Sequence, residues 1–305
     1  MRDQQFRQLL NYFGLSWDGY RKVRKGVRKR ICRHMKELGC RTMQAYFSAL
    51  DQDRDARRHC ERLMTVSISR FFRDRGLWQT LENEILPTLI KENRRRVKVW
   101  SAGCACGEEV YSLKILWRTL SRRFQGLPEL KIWATDMNPV YLNKARAGIY
   151  PRSSLKEVPE AFRALYFRPG AKGQTYAVAE GLKKGIEWRV HNLLFDPPGT
   201  GFQLVFLRNS LLTYYEDDLK GPAFRKVVDS LHQGGFLVIG THEKLPSGVR
   251  GLLPLPHTPY IFRNSSPQSS QTRLPAPRSP GSYNASTDGN GGQGTQRKYE
   301  AVQAS

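Results

Sequence analysis

One stretch constrains the fold more than any other. The apolar run KVWSAG, ending at Gly103, passes directly into CACGEEVYSLKIL, whose apolar residues recur at helical spacing. Gly103 and Gly107 bracket a tight turn from strand to helix, the place where a doubly wound sheet holds its ligand. The same alternation continues along the chain. Strands are predicted at Val97 to Ala102, Leu130 to Thr135, Ile186 to Val190, Phe202 to Phe206, Phe236 to Ile239 and Pro259 to Phe262. Helices are predicted near Leu77 to Asn93, Glu108 to Arg123, Pro139 to Ala147, Pro159 to Tyr166 and Asp217 to His232. Strands alternating with helices imply an α/β fold with a mainly parallel sheet covered on both faces. The glycine-rich segment Arg168 to Lys184 fits poorly as a crossover helix and reads as a small antiparallel β insertion.

Residues 1 to 75 differ in kind. Val23, Val27, Ile31, Met35 and Leu38 form one helical stripe, so an all-helical N-terminal domain is expected before the α/β domain of residues 76 to 263. Around the stripe lie Arg21, Lys22, Arg24, Lys25, Arg28, Lys29, Arg30, Arg33 and Lys36, with no acid among them. Such a run is either a solvated face or a docking face for something acidic. The tail, 264–305, is dominated by Ser, Pro, Gly, Gln, Asn and Thr and is expected to be disordered. It carries little of the net charge of +23; residues 1 to 263 alone hold +21. The odd number of cysteines, five, predicts reduced thiols, and no run approaches the roughly 18 apolar residues of a membrane span. With no secretory signal at the start, a cytoplasmic protein is expected.

The turn suggests a chemistry. Glu108 and Glu109 in the first helical turn can meet a cationic group, although acids there also simply stabilise a helix. Neither G-x-G-x-x-G nor a phosphate loop is present, which disfavours dinucleotides and nucleoside triphosphates. Asp136 closes the second strand, where a carboxylate can accept both ribose hydroxyls, or can cap the helix that starts at Asn138-Pro139. A nucleoside with a cationic amino-acid arm satisfies both sites, and S-adenosylmethionine is such a molecule. Cys104 and Cys106 lack partner ligands at metal-binding spacing, so no metal is expected and they read as small packing residues.

Seven segments in order, GYRKVRKGVRKRICRHMKEL, TVSISRFFRD, VWSAGCACGEEVYSL, ATDMNPVYLNKARAGIY, WRVHNLL, FLRNSLLTYY and LHQGGFLVIGTHEKL, resemble the CheR chemotaxis receptor-glutamate methyltransferases from Tyr20 to about Asn264. The resemblance implies a class I, Rossmann-like S-adenosylmethionine-dependent methyltransferase domain with a small β insertion, preceded by a helical domain. It puts Ser67, Ser69 and Arg73 on the cofactor side, Glu109 with Glu108 at the methionyl amino group, and Asp136 at the ribose. Asn192 and Leu193 would border the adenine, with Gly103, Leu207 and Arg208 also at the cofactor. Tyr214 and Arg73 would line the methyl-transfer pocket. This chain departs from the family pattern at Ser67 (usually Asn), Cys106 (Thr or Ser), Val110 (Pro), Leu207 (Cys) and Tyr215 (often Phe).

The implied acceptor, a glutamate with a pKa near 4.3, is already ionised at neutral pH, so no general base is required. A carboxylate oxygen about 3 Å from the sulfonium methyl in a dry pocket would attack in line. Arg73 would orient the carboxylate and Tyr214 complete the wall; their bland alternatives are an ion pair linking domains and a core aromatic. The acidic methylation hairpin of a receptor would suit the basic helix, with Arg24, Arg28, Lys29 and Arg33 as its contacts and the enzyme a monomer. A nucleic-acid methyltransferase would share the charge and cofactor, yet Arg208-Asn209-Ser210-Leu211 stands where a base-holding tetrapeptide would, and Asp196-Pro197-Pro198-Gly199 precedes the strand. The remaining alternative is a non-catalytic signalling module that binds S-adenosylmethionine.

Overall fold

A computed structural model describes residues 1–170 and 173–265 of the chain. Five helices come first: α1 (Asp3–Tyr12), α2 (Trp17–Tyr20), α3 (Arg24–Glu37), α4 (Met43–Gln52) and α5 (Arg54–Met64). Local chemistry sets their starts. The Thr42 hydroxyl accepts the Ala45 amide at 3.1 Å, and the Asp53 carboxylate accepts those of Asp55 and Ala56. Val27 and Ile31 of the predicted stripe bury fully against Phe6, Leu9, Leu10, Tyr46 and Leu50, while Val23, Met35 and Leu38 flank this small core. Arg30 donates to the carbonyls of Leu63 and Thr65 at 2.9 and 2.8 Å, tying α3 to the end of α5.

Helix stops at Met64, earlier than the expected limit near residue 75. Thr65, Val66 and Ile68 are β-branched, which disfavours further helix, and residues 65–74 cross instead to the sheet. There Phe71 sits edge-on to Tyr150 and Phe167, with ring centroids 4.8 and 4.9 Å apart. Next come α6 (Arg75–Thr80), a π-helical turn at Leu81–Ile85, and α7 (Leu86–Glu92). The single predicted helix is thus interrupted just before Pro87, a residue with no amide to donate.

The sheet part then runs β1 (Arg96–Ala102), α8 (Glu108–Leu120), β2 (Glu129–Asp136), α9 (Pro139–Ala147), β3 (Ile149–Pro151), α10 (Glu160–Tyr166), β4 (Phe167–Pro169), β5 (Thr175–Val178), α11 (Glu180–Lys183), β6 (Ile186–Val190), β7 (Phe202–Leu207), α12 (Leu211–Tyr214), α13 (Asp217–Asp229), β8 (Leu231–Ile239), β9 (Leu252–Leu255) and β10 (Thr258–Asn264). Seven strands form one sheet in the order β6-β2-β1-β7-β8-β10-β9, the first five parallel and β10 antiparallel to both its neighbours, β8 and β9. Both faces of β1 are buried. Val97 and Val99 face the core shared with α6 to α8, and Trp100 and Ala102 face the core shared with α13, as a central parallel strand requires.

Four expectations change in detail. The β insertion is a three-stranded antiparallel sheet, β3-β5-β4, that begins at Ile149 rather than Arg168, because β3 supplies its first edge. Helix α13 ends at Asp229, where the Ser230 hydroxyl bonds back to Val227, and β8 starts at Leu231 with a register shift against β7 before Phe236. The sheet gains β9, whose Pro254 is tolerated because the strand lies at an edge. Asn264, expected to open the tail, ends β10; the rest of the tail lies outside the described residues.

The helical part and the sheet part belong to one compact unit. Leu15 pairs with Tyr215 as an antiparallel bridge, the Ser16 amide donates to the Tyr214 carbonyl at 2.8 Å, and the Glu216 amide donates to the Gly14 carbonyl at 3.0 Å. Helix α2 lies so close to α12 that a Cβ on Gly19 would sit 2.1 Å from the Thr213 carbonyl oxygen. Gly19→Ala is therefore expected to cost about 1–3 kcal/mol of stability. In urea denaturation this lowers the midpoint with little change in slope; an unchanged midpoint would mean that the two elements separate freely.

Candidate active site

Strand β1 lies between β2 and β7, and the chain leaves its end and that of β7 in opposite directions, opening a crevice at the carboxyl ends. A cavity of about 720 Å³, counting the space at its mouth, occupies this position. Ser69, Arg73, Gly103, Glu109, Arg208 and Tyr214 line it, six of the twelve residues expected at the cofactor or in catalysis.

The glycine turn is held by the neighbouring strand. The amides of Gly103 and Cys104 both donate to the Thr135 carbonyl, at 2.8 and 2.9 Å. Gly103 has φ +83°, and a Cβ there would stand 2.9 Å from that of Ser210, so no side chain fits. Asp136 accepts the Ala105 amide on Oδ2 and the Asn138 amide on Oδ1, each at 2.9 Å. The cap of α9 is Asn138, whose side chain accepts the Val140 amide, so Asp136 is not itself the cap residue. Burial raises the Asp136 pKa, and the two amide bonds oppose that rise. Each carboxylate oxygen keeps lone-pair capacity for one more donor.

Glu108 and Glu109 diverge, as neighbours about 100° apart on a helix must. Glu109 faces the cavity: its Oε1 accepts the Ser101 hydroxyl at 2.7 Å and its Oε2 the Arg208 guanidinium at 2.9 Å. Glu108 turns inward toward Ser69 and Ser154; burial raises its pKa, and its Oε2 has no hydrogen-bond partner among the described residues. The expected contact of Glu108 with the methionyl group is therefore not built here. Arg208, its side chain only 6% exposed, also pairs with Asp74 at 2.5 Å. It thus joins the end of β7, the start of α8 and the 65–74 segment.

Arg73 makes no ion pair with any of the described residues; its guanidinium donates to the Ile68 carbonyl at 2.7 Å and remains at the cavity. The ion pair that ties these elements belongs to its neighbour Asp74. Burial raises the Tyr214 pKa, against the opposing influence of Arg73, and the ring sits edge-on to Tyr20 at 5.0 Å. The phenol therefore stays protonated at neutral pH.

Asp136 and Glu108 do not line the cavity themselves, and the remaining expected residues are also off its wall. Ser67 lies beside Cys106, with Oγ to Sγ 3.7 Å. Asn192 accepts the Leu194 amide at 3.1 Å, and Leu193 packs in the core near Gly103. Leu207 is fully buried in the core shared with α13, because its side chain points to the opposite face from that of Arg208. On α3, Lys29 and Arg33 are exposed, whereas Arg24 and Arg28 pair with Asp3 of α1 at 3.5 and 2.5 Å. The basic run is therefore partly compensated from outside the run. Asp74, Ser101, Asn209, Thr213 and Glu243 are not singled out by the sequence. Asn209 and Thr213 line the cavity, whereas Asp74, Ser101 and Glu243 bond to residues that line it, and a pairing such as Arg208 with Asp74, 134 positions apart, has no local signature.

Comparison with known proteins fits this geometry. Residues 67–260 match the family described as CheR methyltransferase, SAM binding domain. The chemotaxis protein methyltransferase of Listeria innocua serovar 6a is 38% identical over 183 residues, 60% of this chain and 67% of that protein. The chemotaxis protein methyltransferase 1 of Vibrio cholerae serotype O1 is 30% identical over 197 residues, 64% of this chain and 70% of that one. Among solved structures, the N-methyltransferase NodS from Bradyrhizobium japonicum WM9, in complex with S-adenosyl-L-homocysteine, is 13% identical with a TM-score of 0.34 over 64% of this chain and 91% of that one. With nearly two thirds of its length matched, this chain belongs to the CheR methyltransferase family.

Proposed function

We propose that the chain methylates glutamate side-chain carboxylates of chemotaxis receptors, producing methyl esters, with Arg73 and Tyr214 at the acceptor and Glu109 and Asp136 at S-adenosylmethionine. The observation that carries this reading is the cavity itself, where a guanidinium and a protonated phenol share one crevice with a carboxylate behind a glycine turn. The residues present suit the cofactor: Glu109 presents a carboxylate for an ammonium group, and Asp136 retains acceptor capacity for two hydroxyls. Bound there, S-adenosylmethionine supplies an electrophilic methyl group on a positively charged sulfur. Arg73 holds the acceptor carboxylate by charge-assisted hydrogen bonds, Tyr214 closes the wall against water, and no side chain needs to remove a proton.

In this reading the helical part docks the substrate. Exposed Lys29 and Arg33, with Arg24 and Arg28 shared with Asp3, attract the acidic face of a receptor's helical hairpin. The enzyme acts as a monomer in the cytoplasm, and no described helix is long and apolar enough to cross a membrane.

Incubated with labelled S-adenosylmethionine and a receptor cytoplasmic fragment, the protein is expected to transfer label that alkali releases, as esters do. Arg73→Ala should reduce transfer on the order of a hundredfold with the thermal midpoint preserved. Alkali-stable label, or label on RNA, would overturn the reading.

The raised pKa of Asp136 gives a second test. A carboxyl whose folded pKa exceeds its unfolded value near 3.9 burdens the unliganded fold above that folded pKa and not below the unfolded one. Ribose hydroxyls favour the ionised form, so affinity for S-adenosylhomocysteine should be greatest above the raised pKa and decline as pH falls through it. Titration calorimetry from pH 7 to pH 4 measures this, with Asp136→Asn expected to bind weakly and with a flatter profile. Equal pH dependence in both proteins would remove Asp136 from the ribose site.

A further inference from the structure

In the segment GTHEKL after β8, Glu243 reaches the methyl-transfer side of the cavity through residues that line it. Its Oε2 accepts the amide of Asn209 at 2.9 Å and that of Gly240 at 2.6 Å. Its Oε1 accepts the Thr213 hydroxyl at 2.5 Å. One carboxylate therefore spans both ends of the turn that leads from Arg208 to Tyr214, and Asn209 and Thr213 both line the cavity. The turn needs such a hold. Asn209 has φ +50°, a left-handed conformation that a non-glycine residue keeps only when its surroundings enforce it.

Internal bonds of the turn are few. The Tyr214 and Thr213 amides reach the Ser210 carbonyl at 3.0 and 3.3 Å, and α12 itself is a single helical turn. On the far side, the Ser16 amide fixes the Tyr214 carbonyl. Glu243 supplies the restraint from the sheet side, anchored by its bond to Gly240 at the end of β8. Bonds from neutral donors to a carboxylate are charge-assisted and stronger than neutral ones, which suits a group that must hold an unfavourable backbone angle.

We propose that Glu243 is a positioning residue for methyl transfer: by clasping the Asn209 amide and the Thr213 hydroxyl it sets the turn that presents Tyr214 to the acceptor. This rests on the assignment of Tyr214 to the acceptor pocket made above. The two ends of the turn, Asn209 and Thr213, then owe their geometry to a residue 34 and 30 positions further along the chain.

Glu243→Gln keeps the size of the side chain but replaces one acceptor oxygen with a donor, so one end of the clasp must open. Thr213→Val removes the hydroxyl alone and serves if the glutamine variant folds poorly. Two readouts apply to each variant. Hydrogen exchange of the peptide covering residues 207–215 is expected to accelerate at least tenfold, with residues 236–239 of β8 unchanged. With a receptor cytoplasmic fragment as acceptor, kcat should fall about tenfold or more while S-adenosylhomocysteine affinity changes less than about threefold, and Glu243→Asp should recover part of the loss. Unchanged exchange in a folded variant overturns the proposal, as does a loss of cofactor affinity matching the loss of kcat. If the unmodified protein transfers no methyl to carboxylates, the functional reading fails instead, and the exchange measurement still decides whether Glu243 holds the turn.

Discussion

The site depends on one buried guanidinium. Arg208 stands between Glu109 and Asp74 and has its side chain almost wholly out of water. Through it the end of β7, the first turn of α8 and the connecting segment 65–74 share one ionic bridge. Taking charges out of water is costly, and such a bridge adds little to net stability when measured against an apolar replacement. Loss of a single partner is different, costing about 3–5 kcal/mol because the others stay buried and unpaired. The arrangement therefore specifies position: it fixes Glu109 at the cavity, and by holding Asp74 it fixes the adjoining Arg73. Arg208 also reaches the Arg73 carbonyl at 3.5 Å.

Around that bridge the division of labour is local. The glycine turn gives room for a ligand to approach the backbone, Asp136 ties the turn to the second strand, and Glu109 is the only member of the acidic pair that faces the space. The opposite wall comes from the 208–214 turn, held by Glu243 from the sheet and by the Gly14–Ser16 segment from the helical part. That second contact means the helical part does more than carry positive charge. It packs Tyr20 against Tyr214 and leaves no room at Gly19 for any side chain.

What could be read from the sequence followed the range of the interactions concerned. Burial of β1 on both faces, the glycine turn and the carboxylate at the end of β2 are local patterns and were legible. Paired assignments were less so. Alternation along a strand forbids Leu207 and Arg208 from facing the same cavity, and helical rotation forbids it for Glu108 and Glu109; a motif read as a string of adjacent residues hides both restrictions. The clasp by Glu243, the bridge to Asp74 and the compensation of Arg24 and Arg28 by Asp3 join residues far apart in sequence, so only the fold brings them together. Edge strand β9 was obscured by Pro254, which argues against a central strand but not against an edge.

The most direct measurement is an experimental structure with S-adenosylhomocysteine. Its ammonium group is predicted at Glu109, its ribose at Asp136 and its sulfur facing the space between Arg73 and Tyr214, with the Asp74–Arg208–Glu109 bridge intact. A ligand seated elsewhere, or admitted only by breaking that bridge, would contradict this placement.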